Sequence, residues 1–168
     1  MQIPFIELRR LYQIDKITKQ YQALGNVLGI PFEDHEAEAA ALDSVKRLKS
    51  AKPDAVFAIG ECMNGDPFEL ALALVKYGFR VAEIYGTLTA ENFVYLKNLS
   101  ELSPQQKYFP IWNQPCCIMI RKRAGVTITI GKDAGYYHPD VKNVMWNEEV
   151  QPYGYAGVRY LCERLLEV

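Results

Sequence analysis

The sequence has no long apolar run, no excess of one charge and only two histidines. None of its apolar stretches approaches the roughly 20 residues that span a bilayer, and the start of the chain lacks the continuous apolar segment of a signal peptide. The 19 basic and 20 acidic residues give a net charge of −1, which creates no field to attract a nucleic-acid backbone or an anionic membrane. These absences predict a cytoplasmic protein that binds neither nucleic acid nor membrane.

Several common catalytic and cofactor motifs are also missing. The four cysteines, at positions 62, 116, 117 and 162, form no CxxC pair, so neither a zinc knuckle nor a thioredoxin-type redox motif is present. The chain contains no GxGxxG fingerprint, no Walker A loop and no GxSxG nucleophile elbow. Nucleotide binding and autonomous hydrolysis therefore have little support in the sequence, and no catalytic residue is assigned.

What the chain does contain is a strand, loop, helix and strand within residues 55–85. An apolar run over residues 55–59 ends at Gly60, and a polar loop follows. Asp66, Pro67 and Glu69 then supply a helix cap, a first-turn proline and a capping-box acid. In a parallel α/β sheet such a loop lies at the carboxyl end of its strand, where ligands bind. The loop over residues 60–65 is therefore the first candidate site.

Apolar periodicity organises the rest of the chain. It predicts helices over residues 8–28, 34–51, 67–76 and 155–167, and a further helix that Thr87 or Thr89 caps and that stops before Ser103. It also predicts strands over residues 55–59, 79–85, 116–120, 126–130 and 141–146. Residues 105–114 are expected to be irregular, and residues 133–137 to form one helical turn. This alternation predicts an α/β fold, a three-layer Rossmann-like domain with a mostly parallel sheet, preceded by helices. Residues 1–52 would form the helical lead-in, and residues 53–168 the Rossmann-like domain.

The loops that follow parallel strands emerge at one edge of a sheet, so their polar residues should converge. The candidate cofactor-binding residues from these loops are Gly60, Glu61, Cys62, Met63, Asn64, Asp133, Tyr136, His138 and Trp146. Aromatic side chains would add a wall to the same edge: Tyr136, Tyr137, Trp146, Tyr153 and Tyr155. The sequence thus predicts a ligand site at the edge of the sheet where the parallel strands end, which we call the carboxyl edge.

Two of the candidate side chains, Cys62 and His138, admit two interpretations each. Cys62 is either an inert thiol beside a helix start or a thiolate, stabilised by the helix dipole, that could ligate iron. His138 is either part of the site or a surface residue beside a helix that Asp133 caps. His35, between two acidic residues at a helix start, is expected to be solvated.

Four segments of the chain resemble the nitrogenase component 1 family. They cover residues 3–29, 55–86, 126–139 and 151–167, the last with a glycine-aromatic-x-glycine entry into the closing helix. The resemblance implies one Rossmann-like domain of several, which together enclose a metallocluster, of iron-sulfur type, or a tetrapyrrole. It also implies a like subunit as partner, an ATP-driven reductase as electron donor, and a chain that corresponds to the later part of longer members. Such a chain would be inactive in isolation.

The chain departs from the family pattern in two places. The loop over residues 60–65 carries Glu61, Cys62 and Asn64 where molybdenum-iron proteins use glycine and arginine, and residues 142–146 contain no histidine to ligate a cofactor. One alternative is a non-redox module that binds a small anionic or tetrapyrrole ligand at the same edge. Another is a subunit-interaction module that exposes an aromatic stretch, although the same stretch could be a buried connection; its residues are Tyr108, Phe109, Ile111 and Trp112.

Overall fold

The structure, a computed structural model, describes residues 5–110 and 125–168. Within these ranges, six helices and five strands follow one another along the chain. Their bounds are α1 Ile14–Leu28, α2 His35–Ala51, β1 Val56–Ile59, α3 Pro67–Lys76, β2 Arg80–Gly86, α4 Phe93–Leu102, β3 Lys107–Pro110, β4 Ile128–Ile130, α5 Lys132–Tyr137, β5 Lys142–Val144 and α6 Gly154–Glu167. No helix among the described residues is long and apolar enough to cross a membrane.

The five strands form one sheet in the order β3-β2-β1-β4-β5, and every neighbouring pair is parallel. Strands β2 and β3 lie on one side of β1, and strands β4 and β5, which follow later in the chain, lie on its other side. Strand order therefore reverses between β1 and β4, which is the switch point at which ligands bind in open α/β sheets. The predicted Rossmann-like α/β fold with a parallel sheet is confirmed.

Helices cover both faces of the sheet, which makes three layers. The larger apolar core lies on one face and includes residues from α1, α2, α3, α4 and α6. A smaller cluster lies on the other face and includes Ala134 of α5 together with Ala58 and Tyr85. The central strand β1 is buried along its whole length, as expected for a parallel strand with layers on both sides. The division at residue 52 into a helical lead-in and a Rossmann-like domain stays a prediction.

Most predicted elements are present, but three differ from expectation. Helix α4 begins at Phe93 behind Asn92, later than the predicted caps at Thr87 or Thr89 allow. Helix α1 begins at Ile14, not at residue 8, and the residues before it run without helical structure. Residues 107–110, predicted to be irregular, form the edge strand β3. Its last residue is Pro110, which cannot donate a hydrogen bond to a further strand and is tolerated at a sheet edge. The strand predicted over residues 116–120 lies outside the described residues.

Asp66 determines where α3 begins. Its side chain accepts hydrogen bonds from the amides of Phe68 at 2.8 Å and Glu69 at 3.0 Å, and Pro67 occupies the first turn. These contacts satisfy two of the amide donors that a helix start leaves without partners. The predicted cap at Asp66 and the first-turn Pro67 are confirmed. Glu69 was expected to reach back as a capping-box acid, but its carboxyl group accepts hydrogen bonds from Tyr12 and Gln13 instead.

Replacing Asp66 with alanine should lower the free energy of unfolding by about 1 kcal/mol, because both amides lose their acceptor. Urea denaturation of Asp66→Ala beside Asp54→Ala, which changes an exposed aspartate, would measure the difference. Equal stability of the two variants would contradict the assigned cap.

Candidate functional site

The loop after β1 lies directly against the start of α5, at the switch point. The Gly60 amide donates to the Ile130 carbonyl at 2.8 Å, which extends the pairing of β1 with β4 past the end of the strands. A Cβ atom at position 60 would lie 2.0 Å from Oδ1 of Asp133 and 2.8 Å from the Ala134 amide nitrogen. Only glycine fits here, because a side chain would displace Asp133.

Asp133 holds this loop closed. Its carboxylate accepts the Glu61 amide at 2.8 Å and the Cys62 amide at 2.9 Å. The Lys132 amide in turn donates to the Cys62 carbonyl at 3.1 Å. The sequence predicts a helix cap by Asp133, but α5 has no side-chain cap, and the carboxylate accepts hydrogen bonds from the neighbouring loop instead. It occupies the position at which such loop amides bind an anionic ligand.

Two further contacts tie this loop to its neighbours along the edge. The Glu61 carboxylate accepts the Thr87 amide from the loop after β2 at 3.0 Å. The Asn64 amide donates to the Trp146 carbonyl at 2.7 Å, and its side-chain amide donates to the Glu148 carbonyl at 2.6 Å. Residues 60–64 and Asp133 therefore converge as predicted, whereas their role in binding a cofactor stays a prediction.

The predicted aromatic wall does not form one surface. Trp146 is only 1% exposed, and its indole N–H donates to the Tyr12 hydroxyl at 2.5 Å. Tyr155 is also buried, whereas Tyr136 is 73% exposed. Trp146 turns inward because it packs beside Tyr12 and Tyr160 in the main core. Its backbone carbonyl contacts the site loop, but its ring does not line the edge.

His138 lies on the opposite face of the sheet from the main core, and it is neither a surface residue nor a side chain of the site loop. It is 4% exposed, and its Nε2 atom lies 2.8 Å from a carboxylate oxygen of Glu83. The Tyr85 hydroxyl donates to the same oxygen at 2.6 Å. These hydrogen bonds satisfy Nε2 of His138 and the Glu83 oxygen in the buried cluster, whereas Nδ1 of His138 is buried without a hydrogen-bond partner among the described residues.

A register irregularity in β2 places Glu83 in that cluster. Phe57 pairs with Val81 and Ala58 pairs with Glu83, so Ala82 is an extra residue on β2. The bulge re-aims the following side chain, and Glu83 thereby reaches the face that carries Tyr85 and His138. The one sequence signal for this cluster was an acid inside an otherwise apolar strand.

Cys62 is the exposed thiol of the site loop. Desolvation of the sulfur raises its pKa, and the negative charges of Asp133 and Glu61 raise it further. A thiolate would need a lowered pKa, so the raised pKa favours the inert-thiol interpretation, and the role of Cys62 as a ligand stays a prediction. Within residues 5–110 and 125–168, no three His, Cys, Asp or Glu side chains are grouped to hold a metal ion. This edge thus offers one sulfur ligand rather than a ligand set.

Comparison with known proteins identifies the architecture to which this geometry belongs. No protein-family model and no curated protein matches the chain. A solved structure described as "Nitrogenase Cp1 at pH 6.5" matches with a TM-score of 0.71 at 17% sequence identity. The match covers 98% of this chain and 39% of that one, so the chain spans well under half of its structural neighbour. The chain has the fold of part of a nitrogenase chain.

Because the Asp133 carboxylate holds the loop over residues 60–65, replacing one of its two oxygens should lower the stability of the protein. Asp133→Asn should lower the free energy of unfolding by about 1–3 kcal/mol, because one of two loop amides loses its acceptor. Amide hydrogen exchange at Glu61 and Cys62 should accelerate together with that loss, while the exposed Asp54→Asn leaves both quantities unchanged. Slow exchange retained at both amides in Asp133→Asn would contradict the assignment.

The two described cysteines should differ in reactivity. In the native protein, iodoacetamide should modify Cys62 more slowly than it modifies an unstructured peptide thiol, because a raised pKa leaves less thiolate. Cys162 should react only after unfolding, because it is buried and burial raises its pKa to about 11. Peptide mass mapping separates the sites. Faster reaction of Cys62 than of the peptide would support the thiolate interpretation instead.

Proposed function

We propose that this chain is a domain of a nitrogenase component 1-like oxidoreductase or cofactor-assembly protein, and that its carboxyl edge helps to enclose a metallocluster or a tetrapyrrole-type ligand. The observation that carries the proposal is the fold, shared over 98% of the chain with part of a nitrogenase chain. The position of the loop over residues 60–65 at the switch point of the sheet adds support, because ligands bind there in this architecture.

The loop is suited to presenting a fixed group to a ligand that other domains complete. The amide and carbonyl of Cys62 are both held by α5, while its side chain is exposed. A rigid backbone with an outward sulfur is a preorganised ligand position, and thiolates are the usual ligands of iron-sulfur clusters. Cys62 would supply one bond to such a cluster after losing its proton, and the remaining ligands would come from elsewhere.

The proposal extends to the partners. A like subunit would pair with the full protein, an ATP-driven reductase would deliver electrons, and the assembly would work in the cytoplasm. Because one thiol cannot hold a cluster by itself, the isolated chain is expected to be catalytically inactive.

A second candidate is a non-redox module that binds a tetrapyrrole-type ligand or a partner subunit at the same edge. The raised pKa of Cys62 favours it, since a protonated thiol is a poor iron ligand. A small anion fits this edge less well, because Asp133 already occupies the loop amides. Of the aromatic stretch expected to reach a partner, Tyr108 and Phe109 are half-buried in β3, and residues 111 and 112 lie outside the described residues.

The metal content of the reconstituted protein distinguishes the two candidate functions. After anaerobic reconstitution with iron, sulfide and a small thiol that completes the ligand set, the first predicts bound iron in the wild-type chain, its loss in Cys62→Ala and its retention in Cys162→Ala. Cys162 is the matched control because it lies buried on α6, away from the edge. Iron and acid-labile sulfide per chain would be assayed for all three.

Absence of iron from all three proteins would contradict Cys62 as a ligand in this chain. A free-base porphyrin, titrated into the same samples and followed by its absorbance, then tests the non-redox candidate. Saturable binding that survives Cys62→Ala would support that candidate.

A further inference from the structure

A short segment before α1 is clamped onto the start of α3. We call residues 7–13 the strap. The Tyr12 amide donates to one carboxyl oxygen of Glu69, Oε2, at 2.9 Å. The Gln13 amide and side-chain amide both donate to the other oxygen, Oε1, at 3.1 Å. Glu69 is 1% exposed, so a single buried carboxyl group holds the end of the strap.

The strap reaches the candidate site through Tyr12. The Tyr12 hydroxyl donates to the Asn64 carbonyl and accepts the indole N–H of Trp146 at 2.5 Å. A Cβ atom at Gly65 would lie 2.8 Å from the Tyr12 ring, so that ring also packs against the end of the loop. Tyr12 therefore contacts the loops after β1 and β5 while its own backbone is held by Glu69.

The surroundings of Glu69 favour its neutral form. The three N–H groups that donate to the carboxyl group favour its charged form, but they are uncharged amides, and the desolvation of the buried group outweighs them. The titratable side chains that interact with it are Asp66 on α3, Tyr77 at the end of α3, Tyr95 on α4 and Tyr12 on the strap. None of these carries a positive charge, and the guanidinium of Arg10 donates to the Pro152 carbonyl instead. A buried carboxylate without a cation carries a large desolvation cost.

We propose that Glu69 is a pH-sensitive lock on the strap. The neutral carboxyl group keeps the strap seated, with Oε1 still accepting both donors of Gln13. Ionisation favours a released strap, in which water solvates the carboxylate. Release withdraws Tyr12 from Asn64 and Trp146 and so loosens the candidate site loop. The lock does not depend on the proposed function, because it rests only on contacts within the chain.

The direction of the pH effect follows from linkage. Burial raises the pKa of Glu69 from 4.5 to about 7, and Asp66 adds to the shift, while the amide hydrogen bonds oppose it. Proton binding is therefore tighter in the seated state than in the released state. The seated strap is most stable below the ordinary glutamate pKa and loses that stability as the pH rises to about 7. The opening equilibrium should increase by up to about tenfold per pH unit across this window and then level off.

Amide hydrogen exchange at about pH 5 and about pH 7.5, corrected for the intrinsic exchange rate, tests the lock directly. The amides of Tyr12 and Gln13 should lose at least roughly tenfold protection at the higher pH, while amides of β1 keep theirs. Fluorescence gives a second readout in a Trp112→Phe background, where Trp146 is the remaining tryptophan of the two. Its emission should shift to longer wavelength as the strap is released.

Two variants complete the test. Glu69→Gln cannot ionise, so its strap protection should be the same at both pH values, whereas Glu149→Gln, at an exposed site, should respond like the wild type. Tyr12→Phe keeps the backbone contacts with Glu69 but loses the hydroxyl. In Tyr12→Phe the strap amides should still respond to pH, and the Asn64 amide should respond less than in the wild type.

Three results would overturn the proposal. They are equal strap protection at both pH values in the wild type, a pH response that persists in Glu69→Gln, and a parallel loss of protection in β1, which would indicate global unfolding. If Glu69→Gln fails to fold, the wild type and Tyr12→Phe decide the outcome by the same comparison. An Asn64 amide that responds equally in both proteins would then remove the coupling between strap and loop.

Discussion

The carboxyl edge of this protein depends on the hydrogen bonds that the Asp133 carboxylate accepts from the amides of Glu61 and Cys62. Those amides end the central strand at the switch point of the sheet, where many α/β proteins bind phosphate. Here the chain supplies its own anion. A second internal carboxylate, Asp66, caps α3 beside it. These amides at the carboxyl edge are therefore already hydrogen-bonded, and a ligand there would contact side chains rather than free backbone donors.

A buried carboxyl group, that of Glu69, organises the layer behind this edge. Glu69 accepts a hydrogen bond from the Tyr12 amide of the strap, and the Tyr12 hydroxyl in turn bonds to Asn64 and Trp146. The loops after β1 and β5 thus share one support that lies far from both in sequence. This arrangement explains why an aromatic residue expected at the open edge is buried instead: Trp146 completes the support of Tyr12.

Capping residues and apolar periodicity predicted most of the helices and strands well. The start of α3 at Asp66 and Pro67 and the parallel pairing of the first two strands follow from capping chemistry and apolar periodicity. The sequence also located the loop over residues 60–65. The convergence of that loop with Asp133 followed from the rule that parallel strands end at one edge, although the hydrogen bonds themselves could not be predicted.

The errors concern long-range partners. His138 was assigned either to the site or to the surface because nothing nearby in sequence showed that a bulge at Ala82 would bring Glu83 beside it. Residues 8–13 have helical periodicity, but the buried carboxyl group of Glu69 accepts the amides of Tyr12 and Gln13, which keeps these two residues out of α1. Strand β3 is short and ends in Pro110, and its pairing with β2 decides its conformation. Tertiary contacts override local preference in each case.

The central claim is that the chain's own carboxylates occupy the anion-binding amides at the carboxyl edge. A two-dimensional NMR titration of the ¹⁵N-labelled protein with inorganic pyrophosphate tests it most directly. The amide signals of Glu61, Cys62, Phe68 and Glu69 should stay in place, because Asp133 and Asp66 already accept their hydrogens. Saturable shifts confined to these four signals would contradict the claim and would reopen the edge as a phosphate site.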